Sequence, residues 1–476
     1  MNSPGICVII IFDKDGVIIM LYEFLQVDKQ KSALLYEQLY KRVISAIENG
    51  ELVHGDKLPS IRTLASDLNV SRTTVETAYD QLCAEGYINN KPKKGFFVEA
   101  NINALTPVKH TDKQHDTSEK RSSIKYDFSG SSLDPQYIDL KYWKRCIKDI
   151  LDKPSVISSY GDPQGERELR VVLCDYAKKV RAVNTSPDNI IIGSGTQTLM
   201  SFLPGIMNEY GKEVYIEKGF FPQGEQIFRD FKYELHGLTA DKRGIILDDA
   251  AHGRILFINS SGSNRGSAPL PYNKRIEIIN WANKNDAIII EDDYNGELRY
   301  TSKPVPALQS MDNDRVIYIG SFSKLLLPSV RISYMVLPDH LLARYTNKSQ
   351  NYNQTASKTE QLALAEYINL GRLERQLRKL RKTYAVKSEK LLKSLQEHFC
   401  GDVIIDVIET ALCVRLKLRT SVSLDELRTT AENNGILIGK CREKNGLKYI
   451  YLSFAGIPSD KIEEAVDYLH EIWEKL

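Results

Sequence analysis

Ser321-Phe322-Ser323-Lys324, followed seven residues later by Arg331, is the stretch that decides how this chain folds. Ahead of it lies Ala287-Ile288-Ile289-Ile290-Glu291-Asp292-Asp293-Tyr294, an apolar run that stops at three acids and a tyrosine. Such a run reads as a buried strand of a parallel sheet, its charged carboxyl end facing a ligand crevice. A lysine in a Ser-x-x-Lys turn offers an amine. An arginine follows it seven residues on, and an acid–tyrosine pair stands after the preceding apolar strand. Together they are the parts of a pyridoxal phosphate site. The plain alternative is a surface lysine and a solvated acid pair. A serine turn and a charged cluster placed directly after apolar strands argue against it.

From Tyr126 onward, short apolar runs alternate with helix-length amphipathic segments, which predicts an α/β body with a mostly parallel sheet. The expected strands are 190–192, 213–216, 255–258, 287–291, 316–319 and 332–336. The first leads into Gly193-Ser194-Gly195-Thr196-Gln197. A strand that ends in Gly-Thr-Gln before a helix presents free N–H groups and a hydroxyl, a natural phosphate cradle. The stretch from Arg372 to Lys382 is basic, but Leu373, Leu377 and Leu380 are spaced for burial, so it reads as a helix with a solvated face.

The other end of the chain has a different pattern. Leu35, Leu39, Val43 and Ile47 recur every fourth residue, the stripe of an amphipathic helix that Gly50 ends. Pro59 is expected to open a second helix running to about Leu68. Ser71 is expected to cap a third, from Arg72 to about Ala84, with Ala78, Tyr79 and Leu82 inward and Arg72, Thr73, Thr74 and Glu76 on its outward first turn. Gly86-Tyr87-Ile88 through Phe96-Phe97-Val98 reads as a hairpin with Lys91, Lys93, Lys94 and Gly95 at its tip. Helix, turn, helix and basic hairpin are the layout of a DNA reader. Residues 34–98 hold as many acids as bases, so a small helical domain with solvated charges is the alternative that electrostatics alone leaves standing.

Between the two ends, residues 100–125 are polar without apolar periodicity and read as a solvated tether. At 476 residues the chain is long enough for two to four domains, and a net charge of +2 means that any nucleic-acid contact relies on local clustering. Its seven cysteines are scattered with no Cys-x-x-Cys pair, which argues against a disulfide framework or a metal site and for a reducing, cytoplasmic setting. The apolar stretch 6–25 is broken by Asp13-Lys14-Asp15-Gly16, so neither a membrane span nor a signal peptide is expected. Two readings of residues 1–33 stay open: an extension with an extra strand near Val17 to Met20, or a natural start at Met20.

Leu35-Tyr36-Glu37-Gln38-Leu39, Gly55-Asp56-Lys57-Leu58-Pro59-Ser60-Ile61-Arg62, Val70-Ser71-Arg72-Thr73-Thr74-Val75 and Leu82-Cys83-Ala84-Glu85-Gly86-Tyr87 are similar to the GntR winged-helix pattern. That likeness implies double-stranded operator DNA as a partner, contacted by Arg62, Ser71, Arg72, Thr73, Thr74, Lys93, Lys94 and Gly95. The body resembles fold-type-I aminotransferases, and nearly the whole chain resembles the MocR/GabR class of bacterial GntR-family regulators. This implies a multi-domain fold: a winged helix-turn-helix at 34–99, a linker at 100–125, and a pyridoxal phosphate-binding α/β domain at 126–476. The large subdomain would span about 150–345 and the small one about 360–476. By the same resemblance Lys324 would form the internal aldimine and Asp292 would pair with the pyridinium nitrogen. Tyr294 would bond the phenolic oxygen, and Gly195, Thr196, Gln197, Ser321, Ser323 and Arg331 would hold the phosphate. Phe221 would stack on the ring, and Tyr160 would reach the phosphate of the partner subunit in a head-to-tail homodimer.

The sequence also departs from a working transaminase. In Phe257-Ile258-Asn259-Ser260-Ser261-Gly262-Ser263-Asn264-Arg265-Gly266-Ser267 the usual proline is missing, and Asn259, Ser263 and Asn264 are all candidates for the displaced polar contact. In Glu217-Lys218-Gly219-Phe220-Phe221-Pro222 the usual Pro-Gly-Tyr is altered. Tyr451 stands where many aminotransferases carry the arginine that clamps a substrate carboxylate, and tyrosine does not replace a bidentate guanidinium. Arg442 is a candidate stand-in. The expectation is therefore a transcriptional regulator that senses an amine or amino acid, or pyridoxal phosphate itself, at Lys324. A functional aminotransferase that carries a DNA-binding domain is the alternative.

Overall fold

The computed structural model of the chain describes residues 11–12, 18–19, 25–28, 33–100, 124–217, 221–241, 244–247, 250, 252–262, 269–293, 296–399, 403–408, 411–444 and 446–475. It divides into two compact units, Met1–His115 and Asp116–Leu476. Among the described residues no helix is long and apolar enough to cross a membrane.

In the first unit three helices, Leu35–Glu48, Ile61–Asp67 and Arg72–Ala84, precede a hairpin of Ile88–Lys91 with Gly95–Val98. Leu39, Val43 and Ile47 of the expected stripe are buried, while Leu35 at its start is half-buried. Val75, Ala78, Tyr79 and Leu82 of the third helix enter the same core. Each large side chain buried there stabilises the unit by about 1.5–3 kcal/mol. Pro59 does not open the second helix. Ser60 is its N-cap, accepting from the Thr63 N–H at 3.1 Å, and the helix begins at Ile61. The hydroxyl satisfies a first-turn donor, while Pro59 lies outside the helix with its carbonyl accepting from the Tyr79 hydroxyl at 3.1 Å. Near the start of the chain Ile11–Phe12 pairs antiparallel with Ile18–Ile19, so an extra hairpin is present. Met20 and residues 101–123 of the expected tether lie outside the described residues.

The second unit is built on a seven-stranded sheet. Its order is Ile190–Gly193, Ser333–Val336, Val316–Ser321, Ile288–Asp292, Ile255–Ile258, Glu213–Glu217 and Glu234–Leu238. Every pairing is parallel except the two made by Ser333–Val336. Ile190, Ile192, Tyr318 and Tyr334 pack into one core, whereas Ile191, Ile317, Ile319 and Met335 pack into another. Both faces are covered, which is why the central strands read as unbroken apolar runs. The edge strand Glu234–Leu238 carries a single buried residue and gave no such run.

A second, antiparallel sheet follows the long helix Arg372–His398, in the order Ile404–Ile408, Cys413–Leu418, Leu447–Ser453 and Cys441–Lys444. Its inner face presents Val414, Leu416, Ile450 and Leu452 to a core that includes Leu373, Leu377 and Leu380, buried as their spacing predicts. Arg415, Lys417, Tyr449 and Tyr451 lie half-buried on the outer face.

Candidate functional site

The carboxyl ends of the parallel strands gather the predicted residues. Ser321 pairs with Ser333 and Ser333 with Gly193, so the turn to Lys324 and the helix start at Gly195 flank one edge of the sheet. Asp292 lies beside Ile319 on the neighbouring strand. This edge is where open α/β sheets build ligand crevices.

Lys324 is half-buried, and its Nζ donates to the Gly130 carbonyl at 2.5 Å. Burial lowers its pKa from the usual lysine value, opposed by the charge of Asp127. Burial also raises the Asp127 carboxyl, but a nest of donors wins and holds it below the ordinary value. These are the Ser129 N–H at 2.8 Å and the hydroxyls of Ser131 at 3.0 Å and Ser132 at 2.7 Å.

Asp292 is 1% exposed, and among the described residues its Oδ1 has no hydrogen-bond partner. Burial first, and the adjacent Asp293 second, push its pKa up to about 8. Asp293 is fully engaged elsewhere: it pairs with Arg181 at 2.5 Å and accepts from Ser261 Oγ at 2.6 Å and the Tyr318 hydroxyl at 2.9 Å. Glu291 accepts from the N–H groups of Leu308 and Gln309 at 2.9 and 3.1 Å. The buried Glu297, whose Oε2 also lacks a partner, is raised to about 8 by burial and then by Asp293. An orphaned buried oxygen costs about 1–3 kcal/mol. A cationic N–H such as a pyridinium would give Asp292 a charged partner and lower its pKa, so this position fits pyridoxal phosphate.

Several of the residues expected to hold a phosphate gather at one helix start. Gly195, at φ 107°, is the N-cap of helix Thr196–Ile206 and gives it no side-chain cap. The first-turn N–H groups of Thr196 and Gln197 are therefore available to an anion. A Cβ on Gly195 would lie 2.6 Å from Arg331 Nη2, so the guanidinium lies over this helix start, and the φ of 107° is one that favours glycine. Ser321 Oγ donates to Ser323 Oγ at 3.3 Å.

The remaining predictions fare unevenly. Phe221 packs edge-on against Phe257 with ring centroids 6.3 Å apart, the environment of an aromatic at the rim of the core. Tyr160 is 98% exposed. Tyr294, Ser263 and Asn264 lie outside the described residues. Asn259 Oδ1 accepts from the N–H groups of Ser261 and Gly262 at 2.9 and 3.0 Å, which commits that oxygen to shaping its own turn. Arg442 is paired across strands with Tyr449, not with Tyr451. The residue opposite Tyr451 is Arg415. Sequence reasoning missed Arg181 and Gly130, because each meets a site residue, Asp293 or Lys324, through a contact remote in sequence.

In the first unit Arg62, Ser71, Arg72, Thr73, Lys93 and Lys94 are exposed. Lys93 at φ 61° and Gly95 at φ 101° make the hairpin tip. Thr74 is half-buried and turned toward the helix start. Its N–H donates to Ser71 Oγ at 3.1 Å and its hydroxyl lies 2.8 Å from the same atom. An exposed, capped recognition-helix start and a basic wing are the surfaces that winged helices lay on duplex DNA.

Comparison with known proteins agrees with both units. Residues 35–98 match the family described as "Bacterial regulatory proteins, gntR family" and residues 129–469 match "Aminotransferase class I and II". The chain is 33% identical over 456 residues to the "Uncharacterized HTH-type transcriptional regulator YdeL" of Bacillus subtilis, covering 92% of this chain and 97% of the relative. It is 29% identical to the "HTH-type pyridoxine biosynthesis transcriptional regulator PdxR" of Corynebacterium glutamicum, over 73% and 76% of the two chains. Identity to the "Probable rhizopine catabolism regulatory protein MocR" of Rhizobium meliloti is 26%, over 87% of each. Among solved structures, an archaeal alanine:glyoxylate aminotransferase matches 75% of this chain and 92% of its own, with a TM-score of 0.67 at 21% identity. The α-aminoadipate aminotransferase LysN of Thermus thermophilus, complexed with N-(5'-phosphopyridoxyl)-L-leucine, matches 75% and 94% with a TM-score of 0.66 at 21% identity. A winged helix-turn-helix followed by a fold-type-I aminotransferase domain, shared with these regulators along most of their length, places the chain in the MocR-like subfamily of GntR-family transcriptional regulators.

Proposed function

We propose that this regulator holds pyridoxal 5'-phosphate at Lys324 and uses it to sense a small amine or amino acid, which changes how the winged helices engage operator DNA. The observation that carries the reading is the orphaned, fully buried carboxyl of Asp292 at the same sheet edge as Lys324 and the Gly195–Arg331 cradle. When bound, the cofactor supplies an aldehyde that bonds reversibly to primary amines. Lys324 provides the resident amine, kept less basic by burial. Asp292 holds the ring nitrogen, and Arg331, Ser321, Ser323 and the Thr196 and Gln197 N–H groups hold the phosphate. Phe221 borders the ring, and Tyr294 bonds the phenolic oxygen. For switching to occur, an amine must bind the two winged-helix arrangements unequally.

A head-to-tail homodimer is part of this reading, in which Tyr160, 98% exposed, is open to contact from the partner subunit. Pyridoxal phosphate itself as the effector is a second reading, favoured by the likeness to a regulator of pyridoxine biosynthesis. The test is spectroscopic. The purified protein mixed with pyridoxal phosphate is expected to gain a visible band that borohydride abolishes and that Lys324→Ala lacks. Amines that shift the band should change affinity for promoter fragments. No band at saturating cofactor would end the sensor reading and leave DNA binding by an aminotransferase-like scaffold.

A further inference from the structure

The far edge of the seven-stranded sheet carries a cluster that the cofactor site does not use. Strands Glu213–Glu217 and Glu234–Leu238 run parallel, with Glu213 opposite Glu234 and Tyr215 opposite His236. Side chains alternate between faces along a strand, so Glu213, Tyr215, Glu234 and His236 share one face. Both glutamates open their strands, whereas Asp292 closes one of the central strands. Like charges directly opposite one another weaken a pairing. Among the described residues neither carboxylate pairs with a lysine or an arginine, and each has His236 as its ion-pair partner.

The imidazole stands between them. His236 Nε2 lies 3.8 Å from Glu213 Oε1 and 3.8 Å from Glu234 Oε1, and one donor atom from each of the three residues lies within 4.8 Å of the others. These separations are too long for hydrogen bonds. An imidazolium held as an ordinary ion pair would draw one carboxylate to about 2.7–2.9 Å. Instead Nε2 is shut off from solvent and has no hydrogen-bond partner among the described residues. The ring is held by stacking on Tyr215, with centroids 4.8 Å apart and planes at 24°. Nitrogen and oxygen ligands about 2.0–2.2 Å from a tetrahedral zinc stand about 3.4 Å from one another, close to the spacing of His236 Nε2 from each carboxylate. The glutamate side chains are 55% and 72% exposed, so water can complete the shell. An imidazole among the donors favours zinc and its transition-metal neighbours over magnesium or calcium, which take oxygen.

We propose that Glu213, Glu234 and His236 bind one divalent transition ion of the zinc class, which staples the edge strand to its neighbour at the base of the crossover through helix Pro222–Asp230. No cysteine takes part, so cysteine spacing gives no sign of the site. The ligands are a Glu-x-His step on one strand and a glutamate twenty-one residues earlier, brought together by parallel register. The inference does not depend on the cofactor reading. The full chain, stripped of metal with a chelator, is titrated with zinc chloride by calorimetry and with cobalt chloride by visible absorption. The native chain is expected to bind zinc in the presence of millimolar magnesium, to give a cobalt band in the visible, and to melt at a higher temperature with zinc than without. Glu213→Gln, Glu234→Gln and His236→Gln should each weaken zinc binding at least about tenfold, because loss of a group that merely supports a ligand already costs that much. Each should also lose the zinc-dependent gain in melting temperature. The two glutamate variants keep the shape of the side chain, and a metal-free melting temperature at or above the native one is the sign of an intact fold. Zinc affinity and melting gain that survive in all three variants place the ion elsewhere in the chain and overturn the assignment. Saturation only at millimolar zinc, an adventitious ion only, overturns it as well.

Discussion

Lys324 donates its side-chain hydrogen bond to the carbonyl of Gly130 at 2.5 Å, across 194 positions of sequence. The stretch that carries Gly130 begins in strand Tyr126–Asp127, which pairs parallel with Ile436–Leu437. It continues to Asp134, whose carboxylate holds the buried Lys387 of the long helix at 2.7 Å. One short segment thus joins the lysine turn to two elements far along the chain, and in sequence it leads directly back toward the winged helix. A change at Lys324 that withdraws its amine from Gly130 acts on that segment first.

Asp127 should tune the lysine. Burial lowers the Lys324 pKa and Asp127 opposes it, so Asp127→Asn removes that opposing charge and should lower it further. The pH midpoint for capture of pyridoxal phosphate is then expected to move down in the variant, with more neutral amine at a given pH. Capture rates measured across pH in both proteins check this, and an unmoved midpoint would take Asp127 out of the role.

Asp292 predicts a pH-dependent stability. Its carboxyl rises from 3.8 to about 8 in the folded protein, because ionisation is penalised there by burial and by Asp293. Between those values the folded state binds a proton that the unfolded state has released. Stability from this group is therefore complete below the unfolded value and is lost as pH rises toward the folded one. An amide at this position cannot ionise. The cofactor-free Asp292→Asn variant should therefore gain in melting temperature over the native protein at about pH 8.5 and much less at about pH 5. The same variant should lose cofactor affinity. A gain largest in acid would contradict the assignment.

How much of this was readable in the sequence depends on where each residue's partners lie. The Ser321 to Arg331 turn, the Asp292 strand and the Gly195 helix start announce themselves, because a buried strand in a covered sheet is an unbroken apolar run and its functional end is the next few residues. The wing and recognition helix are equally local. Arg181 carries no such signal. Arg181 is 112 positions from Asp293 and sits on a helix where Arg167, Lys178 and Lys179 are solvated. Pro59 misled because proline suits the first helical position, yet the stronger local device, a serine hydroxyl on the Thr63 N–H, starts the helix two residues later.

The Arg181–Asp293 pair should be the most costly single contact to break behind the site. Both side chains are wholly buried, 2.5 Å apart, and Arg181 also donates to Ser261 Oγ at 2.6 Å. Arg181→Met would strand Asp293 among the buried carboxyls of Glu291, Asp292 and Glu297, costing about 3–5 kcal/mol. Lys179, two positions earlier on the same helix, pairs with Glu374 at 2.6 Å in the open, and Lys179→Met should cost about 0–1 kcal/mol. Urea denaturation of the two variants measures the contrast. Adding Asp293→Asn to Arg181→Met should recover part of the loss, since the stranded charge is then gone. Comparable costs for the two single variants would show that the buried pair is not the structural lock its geometry describes.

The DNA end separates by the kind of contact each residue can make. Lys93 and Lys94 flank the hairpin tip, exposed and without a planar fork, and suit phosphates. Replacing either with alanine should weaken binding about equally on operator and unrelated duplexes, and reduce the slope of log affinity against log salt by about 1. Arg72 opens the recognition helix and can reach base edges, so Arg72→Ala should cost about 1–3 kcal/mol on the operator and little on unrelated sequence. Ser71→Ala removes the hydroxyl that accepts the Thr74 N–H at 3.1 Å. It should destabilise the first unit by about 1 kcal/mol whether or not DNA is present. Anisotropy titrations over a salt series, on operator and scrambled duplexes, distinguish these outcomes. A salt slope unchanged by loss of both wing lysines would mean that the hairpin tip does not touch the DNA backbone.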